Sequence, residues 1–117
     1  MDELLAFVRG EADPARFSHR EHLRMGFEML LRHDFAQTAH LYSRTLRTMA
    51  PQAFHQTITI AQLALIAERM TGEGGFDAFL AANSDLLEKS TLSRWYRPQR
   101  LASNAARRSF LLPEPAL

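Results

Sequence analysis

Histidines are the most direct candidates for chemistry in this chain, and all five lie before residue 56. His19 and His22 are three residues apart, so on a helix their side chains share one face. Both fall in the first turn of a predicted helix, where the helix dipole disfavours a protonated imidazole. A neutral imidazole is the form that binds a metal ion or acts as a general base. The pair therefore predicts a site, although a polar first turn with ordinary hydrogen bonds gives the same pattern.

A second polar group lies on a segment that is otherwise apolar. Thr59 and Gln62 follow His55 at four and seven residues, so the three side chains share a helix face. Buried polar groups cost free energy unless they find partners. If this face meets His19 and His22, three imidazoles form the ligand set of a divalent metal site, with Zn, Fe, Mn and Ni as candidates. In the alternative, His55 and Gln62 bond to each other and Thr59 bonds to its own helix.

The C-terminal segment carries a third group of candidates. Either Arg97 or Arg107 is placed to bind a carboxylate or phosphate through two parallel N–H groups, with the Tyr96 and Ser103 hydroxyls as orienting donors. This arrangement favours a small anionic ligand. In the alternative, Tyr96 belongs to the core and the arginines of the segment pair with acids.

The charge is uneven along the chain. Residues 1–88 hold eight Arg against twelve acids, whereas residues 89–117 hold Lys89 and five Arg against Glu114 alone. The basic segment is either a solvated helix face or an anion-binding edge. The chain has no nucleic-acid-binding motif and a net charge of only +1, so nucleic-acid binding is disfavoured.

Length and composition bound the class of protein. A chain of 117 residues with 46% hydrophobic residues predicts a single domain over residues 1–117. It has no cysteine, which excludes disulfides and cysteine-based metal sites. No uninterrupted apolar stretch is long enough to cross a membrane, and the acidic N-terminus differs from a secretory signal. We therefore expect a cytoplasmic protein that does not bind membranes.

Helix start and stop signals recur along the chain, without the alternation typical of strands. They predict an all-α fold, a compact helical bundle with three long helices, a short N-terminal helix and several short C-terminal helices. The segment from Ile58 to Ala67 is apolar nearly all round, which indicates a buried central helix. The predicted long helices span residues 18–33, 34–50 and 54–71, and the short C-terminal ones span 76–82, 84–88, 91–96 and 98–110.

Three motifs together resemble a family of small uncharacterised bacterial all-helical proteins. They are F-x-H-x-x-H at residues 17–22, H-x-T-x-T at residues 55–59 and S-x-x-A-R at residues 103–107. The resemblance implies that these histidines, threonines, Ser103 and Arg107 stand at the family's characteristic polar positions. It implies no substrate, cofactor or reaction. The chain departs from the family pattern at Gln56, where an acid is expected.

Two functions remain open at this point. The first is a pocket that binds a small ligand, with or without a metal on His19, His22 and His55, and with turnover undecided. The second is a non-enzymatic helical module for dimerisation or partner binding, in which the polar positions are structural; a homodimer is the default for such chains. The candidate ligand-binding residues of the pocket are His19, His22, His55, Thr59, Gln62, Tyr96, Ser103 and Arg107.

Overall fold

The computed structural model describes residues 2–88 and 90–115, so Lys89 of the basic segment lies outside it. The described residues form helices, turns and loops with no strand, which confirms the predicted all-α class. None of the described helices is long and apolar enough to cross a membrane. The α-helices are α1 (Asp2–Val8), α2 (His19–Arg32), α3 (Phe35–Met49), α4 (Gln56–Arg69), α5 (Phe76–Ala82), α6 (Pro98–Leu101) and α7 (Asn104–Arg108). Short 3-10 turns cover Pro14–Arg16, Ser84–Leu87 and Thr91–Arg94.

Side-chain caps determine where α2 and α3 begin. The Ser18 hydroxyl accepts a hydrogen bond from the Glu21 backbone N–H at 3.2 Å. The Asp34 carboxylate accepts one from the Gln37 N–H at 2.8 Å. Such a cap stabilises a helix by about 1 kcal/mol. Both helices therefore begin within one residue of the predicted positions.

The C-terminal helices are shorter than the sequence predicts. Residues 98–110 form two helices, α6 and α7, instead of one. The chain turns at Ser103, whose hydroxyl accepts a hydrogen bond from the Ala106 N–H at 3.1 Å and so begins a new helix. The predicted helices at 84–88 and 91–96 are single 3-10 turns.

Helix α4 is central, as its apolar sequence predicts. It packs against α2, α3, α7 and the Thr91–Arg94 turn. The α2 backbone approaches it closely at Gly26, where a β-carbon would lie 2.9 Å from Leu63 Cδ2. Within the apolar segment from Ile58 to Ala67, only Ala64 is exposed. The start of α4 therefore meets both the N-terminal helices and the C-terminal segment.

The core beside α1 supports one wall of the candidate site. Phe7 is fully buried, and its ring stacks on Phe17 with centroids 5.2 Å apart and lies 5.5 Å from the ring of Tyr42. Stacked aromatic rings stabilise each other beyond the area they bury. Two large apolar side chains at the end of α2 and the start of α3, Leu31 and Phe35, are by contrast 52% and 39% exposed.

Candidate functional site

A cleft of about 320 Å³ opens between the start of α2, the end of α3 and the start of α4. We call it the His22 cleft. Its volume lies at the small end of the range for small-molecule sites. Its apolar lining residues are Pro14, Phe17, Tyr42, Leu46, Met49, Ala50, Ala53, Phe54 and Ile58, and its other lining residues are His22, His55, Thr59 and Gln62.

The His22 ring is a neutral polar group of this cleft. It is half-buried, and its edge faces the Phe17 ring with centroids 4.8 Å apart. Burial lowers the pKa of His22 below its ordinary value, and the nearby His19 lowers it further, against a smaller opposing effect of the Phe17 backbone. The ring is therefore neutral near pH 7, with one nitrogen that donates and one that accepts.

Thr59 and Gln62 differ in how their polar groups are used. The Thr59 hydroxyl donates to the His55 backbone carbonyl at 2.7 Å, as the alternative interpretation of this residue predicts. The Gln62 amide has no hydrogen-bond partner within residues 2–88 and 90–115, and it lines the cleft in a half-buried position. The Gln62 amide and the His22 ring are therefore the polar groups left to meet a ligand.

His55 lines the cleft but uses both ring nitrogens within the protein. Its Nδ1 accepts a hydrogen bond from the Ile58 N–H at 3.1 Å and so caps α4. Its Nε2 lies 2.7 Å from the Leu101 carbonyl oxygen, which accepts only if that nitrogen carries the proton. His55 is therefore held as the neutral Nε2–H tautomer and has no nitrogen free for a metal. The predicted bond between His55 and Gln62 is not formed.

His19 lies away from the cleft. Its Nε2 is 2.8 Å from the carbonyl oxygen of Leu86, in the Ser84–Leu87 turn. The structure thus brings His22 and His55 to the cleft but not His19. Within the part of the chain that the structure describes, no three His, Cys, Asp or Glu side chains are grouped so as to hold a metal. The geometry does not support the predicted metal site, because the His19 and His55 rings bond to carbonyls of different segments.

Tyr96, Ser103 and Arg107 also lie outside the His22 cleft. The Tyr96 hydroxyl donates to the Leu111 carbonyl at 2.7 Å, and Ser103 caps α7. The Arg107 guanidinium donates to the carbonyls of Gln52 and Phe54 at 3.1 and 3.3 Å, in the loop between α3 and α4. Both bonds use the Arg107 Nη1 group, so the guanidinium is held against the backbone of this loop, and the predicted anion clamp stays a prediction.

Thr57 has a structural role that the sequence analysis missed. Its side chain is fully buried, and its hydroxyl donates to the Ser109 carbonyl at 2.8 Å and accepts from the Leu111 N–H at 3.1 Å. His55, Thr57 and Arg107 therefore join the C-terminal segment to α4 or to the loop before it, whereas Tyr96 joins two parts of the C-terminal segment. The H-x-T-x-T spacing was the available signal, since residues two apart at a helix start point to different neighbours.

The apolar walls of the cleft were also missed as site residues. Phe17 is the first residue of the F-x-H-x-x-H motif, and its ring lines the cleft beside His22. Met49 and Phe54 come from the end of α3 and the loop after it. They line the cleft because of the way α3 packs against α4, and the helix patterns in the sequence do not predict that packing.

The alternative function, a partner-binding or dimerising module, stays a prediction. The fold leaves large apolar side chains exposed at several places along the chain. A dispersed set of such residues is normal on a protein surface and by itself identifies no partner. Among the described residues, the large hydrophobic side chains that are exposed are Leu5, Leu31, Phe35, Leu87, Trp95, Phe110 and Leu112.

Comparisons with protein-family models, with curated proteins and with solved structures give no match for this chain. The resemblance to a family of small bacterial helical proteins therefore stays a prediction.

Proposed function

We propose that the protein binds a small, neutral, mostly apolar molecule in the His22 cleft. The His22 ring and the Gln62 amide hold one hydrogen-bonding head group of that molecule, such as an amide or a hydroxyl. The observation that carries the proposal is an apolar cleft whose unused polar groups are both neutral. Small-molecule sites commonly combine apolar walls with a few convergent polar groups.

The charge of the lining selects a neutral ligand. None of the residues that line the cleft is Lys, Arg, Asp or Glu. Because the pKa of His22 is lowered, its ring is neutral near pH 7 and brings no positive charge to the cleft. Placing a carboxylate in such a site costs free energy, because it loses water without gaining an ion partner. The proposed ligand is therefore neutral, unlike the anion that the sequence suggests for Arg107.

The walls suit a flat or branched apolar body. Phe17, Tyr42 and Phe54 contribute aromatic rings, and Met49 and Ile58 contribute aliphatic surface. Tyr42 is held in place because its hydroxyl donates to the His22 carbonyl at 2.8 Å. The wall is therefore partly preformed, which lowers the entropic cost of binding.

The activity proposed is binding. Proton-transfer catalysis commonly needs a base and an acid with different pKa values. The cleft lining offers one free imidazole, while the His55 ring and the Thr59 hydroxyl are already bonded within the protein.

Titration with benzamide tests the proposal, because this molecule joins an aromatic ring to a neutral amide. We expect saturable shifts of the backbone amide signals of cleft residues in two-dimensional NMR spectra. Benzoate, which has the same shape and a negative charge, should bind more weakly. Gln62→Leu keeps the size of the side chain but removes one hydrogen bond, so benzamide affinity should fall by about threefold to tenfold.

The matched control is Gln37→Leu, the same change at an exposed position of α3 outside the cleft. Its benzamide affinity should equal that of the unmodified protein. The proposal is wrong if benzamide produces no saturable shifts at the cleft. It is also wrong if benzoate binds as tightly, or if the two glutamine variants bind benzamide equally.

A further inference from the structure

A second depression, of about 340 Å³, lies between α3 and α4 and shares no lining residue with the His22 cleft. We call it the α3–α4 groove. Its polar lining residues are His40, Ser43, Arg44, Arg47 and Gln56.

The groove lies in a part of the chain that has no negative side chain. From residue 35 to residue 67 the sequence contains no Asp or Glu. Helix α3 carries His40, Arg44 and Arg47 at spacings of four and three residues, so they share one face. Arg44 is exposed, and its guanidinium has no hydrogen-bond or ion-pair partner among the described residues. The positive charge of this face is therefore not neutralised by neighbouring acids.

Ser43 gives an independent indication of a ligand. Its side chain lines the groove and is only 6% exposed. Its hydroxyl is covered and has no hydrogen-bond partner within residues 2–88 and 90–115. A buried hydroxyl without a partner costs free energy, and such groups are rare in native proteins. A change of the Ser43 side-chain rotamer would let this hydroxyl donate to a molecule in the groove.

Arg47 and α4 complete the set of donors. The Arg47 guanidinium lies 4.9 Å from the centre of the Phe54 ring, and its Nη2 is 3.3 Å from Gln56 Oε1. These contacts hold it beside the first residue of α4. The fourteen-residue α4 begins at Gln56, so the positive end of its dipole lies at the groove.

We propose that the α3–α4 groove binds a small oxyanion of the phosphate class, either free phosphate or a phosphate monoester. Arg44 and Arg47 bind its oxygens, and Ser43 and the start of α4 add neutral donors. Donors that come from several directions suit a tetrahedral phosphate better than a planar carboxylate. The proposal is independent of the His22 cleft, because the two sites use different residues.

The test uses the full chain, NMR detection of backbone amides and constant ionic strength. Inorganic phosphate, phenyl phosphate and acetate are added in separate titrations. We expect saturable shifts at Arg44, Arg47 and Gln56 with either phosphate. Arg44→Gln should weaken phosphate binding about tenfold, because it removes a charge-assisted hydrogen bond. Arg108→Gln is the control: it removes one exposed charge outside the groove, so the affinity should change less than twofold.

Ser43→Ala separates a binding role from a structural one. Because it removes a hydroxyl without a partner, it should leave the melting temperature unchanged or raise it. It should still weaken phosphate binding severalfold. Tighter binding of phenyl phosphate would identify the ligand as a monoester, whereas equal binding would indicate free phosphate. Acetate binding as tight as phosphate, shifts that do not saturate, or equal effects of Arg44→Gln and Arg108→Gln would each overturn the proposal.

Discussion

Replacing Phe7 by alanine is expected to lower the free energy of unfolding by about 3–5 kcal/mol. Phe7 is fully buried, and its ring packs against those of Phe17 and Tyr42. Alanine leaves a cavity at the junction of α1 with the rest of the core. Because Phe17 and Tyr42 also line the His22 cleft, the loss of their neighbour should weaken benzamide binding as well. Urea unfolding measures the first effect.

Leu5→Ala is the matched control for this prediction. Leu5 lies on the same helix and is 48% exposed, so its removal should cost less than about 1 kcal/mol. A similar loss of stability in the two variants would show that α1 does not dock through Phe7.

Replacing His55 by alanine is expected to lower the free energy of unfolding by about 3 kcal/mol. The change removes the cap on the Ile58 N–H, which contributes about 1 kcal/mol. It also leaves the Leu101 carbonyl without its partner, which costs about 1–3 kcal/mol. Urea unfolding measures the total, and hydrogen exchange should show faster exchange of the Leu111 amide as the C-terminal segment loosens.

His40→Ala is the control for His55, since His40 is exposed on α3. Its effect on stability should stay within about 0.5 kcal/mol. If His55→Ala is as harmless as His40→Ala, the ring does not join α4 to the C-terminal segment. In that case a ligand-binding role for His55 would have to be considered again.

Local signals in the sequence determine most of the fold. Gly10 follows α1 with a φ of 75°, a left-handed conformation that favours glycine and ends the helix. Ser18 and Asp34 cap α2 and α3 through bonds that reach only three residues along the chain. Such caps can be recognised from the sequence because the capping side chain and the backbone N–H that it binds are only a few residues apart. The division of residues 98–110 at Ser103 was missed, although Ser103 was a recognisable cap.

The sequence predicts part of the site. It does not predict the hydrogen-bond partners of the site residues, because those partners lie far away along the chain. His22, His55, Thr59 and Gln62 do line one cleft. The partner of His55 is Leu101, 46 residues away, and the partner of His19 is Leu86, 67 residues away. A helical spacing tells which side chains share a face but does not tell which backbone carbonyl meets that face.

The same limit explains Arg107. Its guanidinium was expected to be free for an anion, but it bonds to carbonyls 53 and 55 residues earlier. Loop carbonyls that lack a helix partner attract such donors, and no sequence pattern marks them. The arginines that line a groove are Arg44 and Arg47, for which the sequence predicts no role.

We infer that His22 is the free imidazole of the cleft, whereas the protein fixes the His55 ring through both of its nitrogens. The nitrogen-15 spectrum of the histidine rings, recorded with and without benzamide, tests it most directly. We expect His55 to show the neutral Nε2–H tautomer in both spectra and the His22 signals to shift as benzamide saturates. A His55 ring that exchanges between tautomers or follows benzamide, or a His22 ring that does not respond, would contradict it.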